Sequence, residues 1–192
     1  MLRDLEGILT DEQLLISIVA GATIETLSSA LGTKRIVRAM PNTPAQVGHG
    51  ITAWTCRDEV SDFEKNQIRD FLAPLGKDLF VETENMIDMA TALSGTGPTY
   101  IFMVMEALTD AGVHMGFSRE IAKELVQETM LGSTFFAMQS HKHPAELRNM
   151  VTSPGGTSAA AIYEMEKGGL RTVFSKAVHS AYQRAISLRE MG

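Results

Sequence analysis

Apolar and polar positions follow two different rhythms along the chain. Up to about residue 83, short apolar runs alternate with helix-like stretches. "LLISIVAG" (14–21) is continuous, short and closed by glycine, which predicts a buried parallel strand. "TIETLSSALG" (23–32) predicts a short helix ended by Gly32, and "RIVRAM" (35–40) a strand stopped by Pro41. The β-branched and aromatic "GITAWTC" (50–56) predicts a further strand. Ser61-Asp62-Phe63-Glu64 fits a capping box, with Ser61 as N-cap and Glu64 at N3. The helix it opens offers Phe63, Ile68, Phe71, Leu72 and Leu75 for burial, and "DLFVE" (78–82) predicts a last strand. Strands alternating with helices imply an α/β fold, a mostly parallel sheet with helices on its faces.

After residue 84 the strand pattern stops and three long helical patterns follow, over 98–115, 118–139 and 169–190. In the first, Tyr100 through Met105 is apolar without a break, and Leu108 and Ala111 extend it. A helix apolar all round must be buried on several sides. The second carries Ile121, Leu125, Val126, Phe135 and Phe136; the third places Leu170, Val173, Phe174, Ala177, Val178, Ala181, Ala185 and Leu188 on one stripe. So few helices cannot cover an all-round apolar helix alone, which predicts pairing with a second copy, a homodimer. The other reading is a self-contained bundle. The boundary between the halves is expected near residue 84, giving domains 1–83 and 84–192, without a flexible linker.

Composition narrows the classes. A hydrophobic share of 44% against 21% charged residues supports a sizeable core. A net charge of −6 argues against a nucleic-acid partner, which calls for a basic patch. Cys56 is the single cysteine, which excludes an intramolecular disulfide and suits a reducing compartment, hence a cytoplasmic protein. "MLRDLEGILTDEQ" carries charges throughout and does not read as a signal peptide, and no apolar run approaches the ~20 residues of a membrane span. Of five histidines only His141 and His143 are close; they lack further ligands at metal spacing and read as a solvated loop pair, so no metal is expected.

Three Gly/Pro-rich stretches are candidates for chemistry. "MPNTPAQVGHG" (40–50) leaves the C-terminal end of a strand, the edge where open α/β sheets bind ligands. Asn42 and Thr43 offer polar groups there; a rigid turn using Asn for its backbone is the plainer reading. "SGTGPTY" (94–100) interrupts an apolar pattern, with Pro98 suited to a first helical turn; a helix–helix corner is its plainer reading. "VTSPGGTSAA" (151–160) puts Pro-Gly-Gly directly before a helix. Free N–H groups at Gly155, Gly156, Thr157 and Ser158, with the helix dipole, would make an anion site. The hydroxyls of Ser153, Thr157 and Ser158 add adjustable donors. The guest would be small, a carboxylate rather than a nucleotide; an ordinary capped helix would need one hydroxyl.

"RAMPNTPAQVGHGIT", "ALSGTGPTYIFMVMEALTDAGVHMGFSREIA" and "HPAELRNMVTSPGGTSAAAIYEMEKGGLR" together resemble the pyrroline-5-carboxylate reductases, over essentially the whole chain from Leu14 to Leu188. The resemblance implies a Rossmann-type dinucleotide-binding domain, here partial, followed by an all-helical dimerisation domain that interleaves with its partner's. It implies reduction of the C=N bond of 1-pyrroline-5-carboxylate to L-proline with NADPH or NADH, the last step of proline biosynthesis, in dimers or rings of dimers. Carried over residue by residue, Val151, Ser153, Gly155, Gly156, Thr157 and Ser158 would hold the substrate. Ser158 stands where the family's Gly-Gly-x-Thr step has Thr, and its hydroxyl would assist protonation of the ring nitrogen. Asn42 and Pro98 would border the nicotinamide. Ser94-Gly95-Thr96-Gly97-Pro98 replaces the family's usual Ser-Gly-Ser-Gly-Pro.

One departure is large. The family's Gly-x-Gly-x-x-Gly turn, which cradles the cofactor pyrophosphate, has no counterpart in this sequence. The expectation is that about the first three strands of the dinucleotide domain are lacking, that the chain is an incomplete reductase, and that it binds cofactor poorly. The alternative is a non-catalytic dimerisation module that keeps the substrate pocket.

Overall fold

The computed structural model describes residues 8–10 and 12–191. Residues 1–7, which open the stretch read as lacking a signal peptide, lie outside the described residues. Two compact units form: one runs through Pro98 and resumes at Ala177, the other is Thr99–Lys176.

The first unit is built on strands β1 (Leu15–Ser17), β2 (Ile36–Met40), β3 (Gly50–Cys56) and β4 (Gly76–Phe80), in sheet order β1-β2-β3-β4. β1 pairs parallel to β2 and β3 parallel to β4, but β2 and β3 run antiparallel. The cause is length: the connection from Pro41 to His49 is too short for a crossover, which takes a dozen residues or more. β1 is shorter than its apolar run and lies at the sheet edge among the described residues, so the expected burial is partial: Leu14, Leu15 and Ile16 are half-buried against the core clusters and Ser17 is buried. Ile18 and Val19, just beyond it, are exposed.

Helices α1 (Ile24–Leu31), α2 (Asp62–Leu72) and α3 (Glu84–Ala90) cover both faces. Alternation along β2 decides which helix each residue meets. Val37 and Ala39 join Trp54, Ile68 and Leu72 under α2. On the other face Ile36 packs with Ile24 and Leu27 of α1, and Met40 with Ile87 of α3. α1 starts at Thr23, whose hydroxyl accepts from the Thr26 N–H, and stops at left-handed Gly32. The capping box forms: Ser61 Oγ accepts from the Glu64 N–H, and the Glu64 carboxylate accepts from the Ser61 N–H at 2.8 Å. Of the apolar residues on α2, Ile68 and Leu72 are buried, while Phe63 and Phe71 are 72% and 66% exposed. One narrow i, i+4 stripe meets the sheet and both phenylalanines fall outside it.

The second unit takes α4 (Gly97–His114) from Thr99, α5 (Arg119–Ser140), α6 (Pro144–Met150), α7 (Thr157–Lys167) and the start of α8 (Leu170–Met191). α6 and α7 are shorter than the three patterns read from the sequence. At the α4–α5 crossing a Cβ on Gly112 would stand 2.9 Å from that of Ala122. Among the described residues of this unit only Gly112 and Ala122 are buried. Ile101, Phe102 and Met103 of the all-round apolar helix remain exposed, and so do Leu125, Phe135 and Phe136 of α5. The chain does not bury these faces itself, so the self-contained bundle is not what forms.

Candidate functional site

The stretch from Val151 to Ser158 is a turn feeding a helix. Past α6, the Val151 and Thr152 N–H groups donate to the Arg148 and Asn149 carbonyls, and the Thr152 hydroxyl donates to Arg148 O at 2.7 Å. The Ser153 carbonyl then accepts from the Gly156 N–H at 3.0 Å. Pro154 occupies the second place of that turn and Gly155 the third, with φ +69°, the type II arrangement in which the third residue favours glycine. The turn therefore uses the Gly156 N–H, one of the four amides expected to be free. Those of Gly155, Thr157 and Ser158 remain.

Gly156 is the N-cap of α7 and no side chain caps this helix. Thr23, Ser61, Thr83, Ser118 and His143 cap α1, α2, α3, α5 and α6. Ser153, Thr157 and Ser158 stand beside the open end, and none of their hydroxyls has a partner among the described residues. A Cβ on Gly156 would fall 2.4 Å from Ser153 Oγ, so glycine is what lets that hydroxyl lie against the helix start. Val151 is exposed at the rim. Free amides at a helix N-terminus, three idle hydroxyls and no competing carboxylate cap suit a small carboxylate.

Asn42 and Pro98 belong to the other unit. Asn42 Oδ1 accepts from the Ile51 N–H at 3.0 Å and closes the turn between β2 and β3. The plainer reading of this asparagine is thus met by one end of its amide, while Nδ2 has no partner among the described residues. Beyond α3, Thr91–Gly95 forms a π-helical turn, with the Thr96 N–H donating to Thr91 O at 2.8 Å, and Pro98 sits in the first turn of α4. The Ser94 and Thr96 hydroxyls donate back to the Ala90 and Thr91 carbonyls. A π turn inside a helical run often marks a functional position. Here it lays Gly95 on Met40: a Cβ on Gly95 would stand 3.4 Å from Met40 Cγ. The two loops therefore meet at the end of β2.

Sequence reasoning missed a buried ion network beneath that contact. Arg38 is fully buried; Nη2 donates to Asp88 Oδ1 at 2.7 Å and Nη1 to Glu84 Oε1 at 3.2 Å. Asp88 Oδ2 accepts from Arg189 of α8 at 2.8 Å, and Glu84 Oε1 also accepts from the Ile24 N–H at the start of α1. An arginine within the apolar "RIVRAM" was the available signal. Elsewhere, burial pushes the Cys56 thiol up, which makes it a poor nucleophile. His143 Nδ1 accepts from the Ala145 N–H and so caps α6.

The sequence pattern of the family described as pyrroline-5-carboxylate reductase dimerisation matches residues 84–188. The chain is 39% identical over 184 residues to a pyrroline-5-carboxylate reductase of Pisum sativum, spanning 96% of this chain and 67% of that protein. It is 42% identical over 183 residues to that of Pseudomonas aeruginosa, spanning 95% and 67%. Among solved structures, a Plasmodium falciparum pyrroline carboxylate reductase with NADP bound superposes with a TM-score of 0.87 at 35% identity, covering 92% of this chain and 71% of that one. The Streptococcus pyogenes 1-pyrroline-5-carboxylate reductase superposes with a TM-score of 0.90 at 32% identity, covering 97% and 72%. The chain thus spans about two thirds of the length of these relatives. By family pattern, identity and fold alike, this chain belongs to the pyrroline-5-carboxylate reductase family.

Proposed function

We propose that the chain is an NAD(P)H-dependent oxidoreductase that reduces 1-pyrroline-5-carboxylate to L-proline, with residues 84–192 as the dimerisation and substrate domain and 1–83 as part of the dinucleotide-binding domain. The family match beginning at residue 84 supports that division. The observation that carries the substrate reading is the uncapped start of α7 with its three unpartnered hydroxyls. Amides of Thr157 and Ser158 and the hydroxyl of Ser153 hold the carboxylate, with the helix dipole favouring its charge. Gly155 and Gly156 admit it close to the backbone, Thr157 adds a donor, and Val151 walls the ring. Ser158 Oγ donates to the ring nitrogen, which makes the C=N carbon more electrophilic, and passes on the proton that nitrogen takes up.

The residues present fit the nicotinamide end of the cofactor. Asn42 keeps a free amide donor beside the strand end, and Gly95 leaves the loop of Pro98 close by. Bound there, the cofactor supplies a hydride. The chain's own work is orientation: each ligand is held in one pose, so that little reorganisation remains. The apolar faces of α4 and α5 pair with a second copy, and rings of dimers are the further assembly. No helix among the described residues is long and apolar enough to cross a membrane; with a single cysteine, we place the protein in the cytoplasm.

The test mixes the purified chain with pyrroline-5-carboxylate and NADPH, follows cofactor absorbance, and measures L-proline binding in parallel. Ser158→Ala is expected to lower kcat/KM by about 10²-fold, and Gly156→Val to abolish L-proline binding. L-proline binding unchanged in both variants removes the site. Retained L-proline binding with no turnover in the unaltered chain identifies the non-catalytic module instead.

A further inference from the structure

We infer that the buried Arg38–Asp88 pair is a positioning device: it fixes the register of α3 on β2 and thereby sets the spacing between Asn42 and Pro98. The inference rests on the reading of those two residues as neighbours of the nicotinamide, and extends it to side chains that touch neither ligand.

The argument is a ladder with two rungs. On β2, Arg38 and Met40 alternate onto the same face, the one that α3 covers. The first rung is ionic. One guanidinium engages carboxylates of Glu84 and Asp88, four residues apart on one side of α3. Sliding α3 by a single residue, about 1.5 Å, would break that fork. A lysine, with a point charge in place of a planar fork, could not register both. Arg38 Nε has no partner among the described residues, so the ionic hold of Arg38 on α3 runs through its two terminal nitrogens. Asp88 cannot turn to follow a shift, because its second oxygen is held by Arg189.

The second rung is apolar and lies toward the proposed nicotinamide neighbours. Met40 meets Gly95 at the π turn, where a Cβ on Gly95 would stand in van der Waals contact with Met40 Cγ at 3.4 Å. Asn42 follows Met40 by two residues and Pro98 follows Gly95 by three. The ionic rung thus sets the register in which the strand end meets the π turn, with Met40 packed on Ile87 of α3 beside it. The network lies between α1, β2, α3 and the end of α8, and no ligand is needed to form it.

Asp88→Asn keeps the shape and removes the charge; Arg38→Lys keeps the charge and removes the planar fork. Two readouts on the full chain are proposed. One is the NOE between the labelled Met40 methyl and the Gly95 Hα. The other is titration with reduced nicotinamide mononucleotide, which needs no pyrophosphate cradle, with L-proline titrated as the control. Native Trp54 emission certifies the fold. Both variants are expected to weaken the NOE and raise the mononucleotide Kd about tenfold, while the L-proline Kd stays within about twofold. A merely structural role would leave the mononucleotide and L-proline affinities moving together. A folded Asp88→Asn with unchanged NOE and unchanged mononucleotide Kd overturns the inference. If Asp88→Asn does not fold, Arg38→Lys decides by the same criteria. Should the unaltered chain show the NOE but bind no mononucleotide, the reading of Asn42 and Pro98 has failed. The register role is then decided by the NOE alone, upheld if Asp88→Asn loses it and overturned if it persists.

Discussion

Gly155 and Gly156 stand side by side and do different work. Gly155 has φ +69°, where any other residue carries a backbone penalty of about 1–2 kcal/mol. Gly156 has ordinary extended dihedrals and is needed for space, because a Cβ there would meet Ser153 Oγ. The two substitutions should therefore separate stability from binding. Gly155→Ala is expected to lower the unfolding free energy by about 1 kcal/mol, measured by urea denaturation at fixed protein concentration. Gly156→Ala is relieved of its worst contact by rotating the Ser153 hydroxyl away and keeps only a tight 3.2 Å approach to Ser153 O, so its stability should fall less than that of Gly155→Ala. Its L-proline affinity should fall, because that hydroxyl is one of the proposed carboxylate donors. Equal losses of stability in both variants, with affinity intact, would contradict the assignment.

Helix α2 shows how local chemistry sets an element. The Glu64 carboxyl is pulled down to about 2 from an ordinary 4.5, first by the Ser61 hydroxyl and then by Arg35. A carboxyl whose folded-state value is depressed stabilises the fold above its unfolded value, and that stabilisation is lost as pH falls through the folded value. The capping box should then contribute fully above pH 4.5 and fade toward pH 2. Glu64→Gln should flatten this limb of the stability profile, followed through Trp54, which shares a core cluster with Ile68 and Leu72 of α2. Ser61→Ala should cost about 1 kcal/mol at neutral pH. Such features were legible in the sequence because both partners lie within one turn of chain. The same holds for the ends of α1 at Thr23 and Gly32 and for the Pro-Gly-Gly turn. Arg38 was visible as a charge in an apolar strand, but its partners Glu84 and Asp88 are remote in sequence, as is Arg189, which holds Asp88, and no local pattern joins them. The exposure of Phe63 and Phe71 was hidden for a related reason: their spacing permits burial, and only the width of the facing sheet decides. The antiparallel β2–β3 pairing could have been read from the short connection at Pro41–His49, since a parallel return does not fit there.

For the whole molecule the decisive imbalance lies between the units. The sheet unit holds all three hydrophobic clusters, whereas the helical unit buries only Gly112 and Ala122 among its described residues. Leaving a large aliphatic or aromatic side chain in water forgoes about 1.5–3 kcal/mol relative to burying it. Ile101, Phe102, Met103, Leu125, Phe135 and Phe136 are all about half exposed or more. With the proposed second copy in place, the helical unit draws its stability from that pairing, and its fold and its assembly become one equilibrium. The groove of about 280 Å³ between α4 and α5, lined by Leu108, Met115, Leu125 and Met130, is part of this apolar surface. Leu125→Glu places a charge on that face and is expected to shift the sedimentation of the chain from dimer to monomer. Because the sheet unit has its own core, Trp54 emission should stay native while far-ultraviolet helicity falls. L-proline binding should fall with it, since the turn at Ser153–Ser158 belongs to the unit that loses its support. A Leu125→Glu chain that remains dimeric with full helicity would place the contact elsewhere. A monomer that still bound L-proline would show that the turn folds without its partner, and the substrate site would then belong to a single subunit.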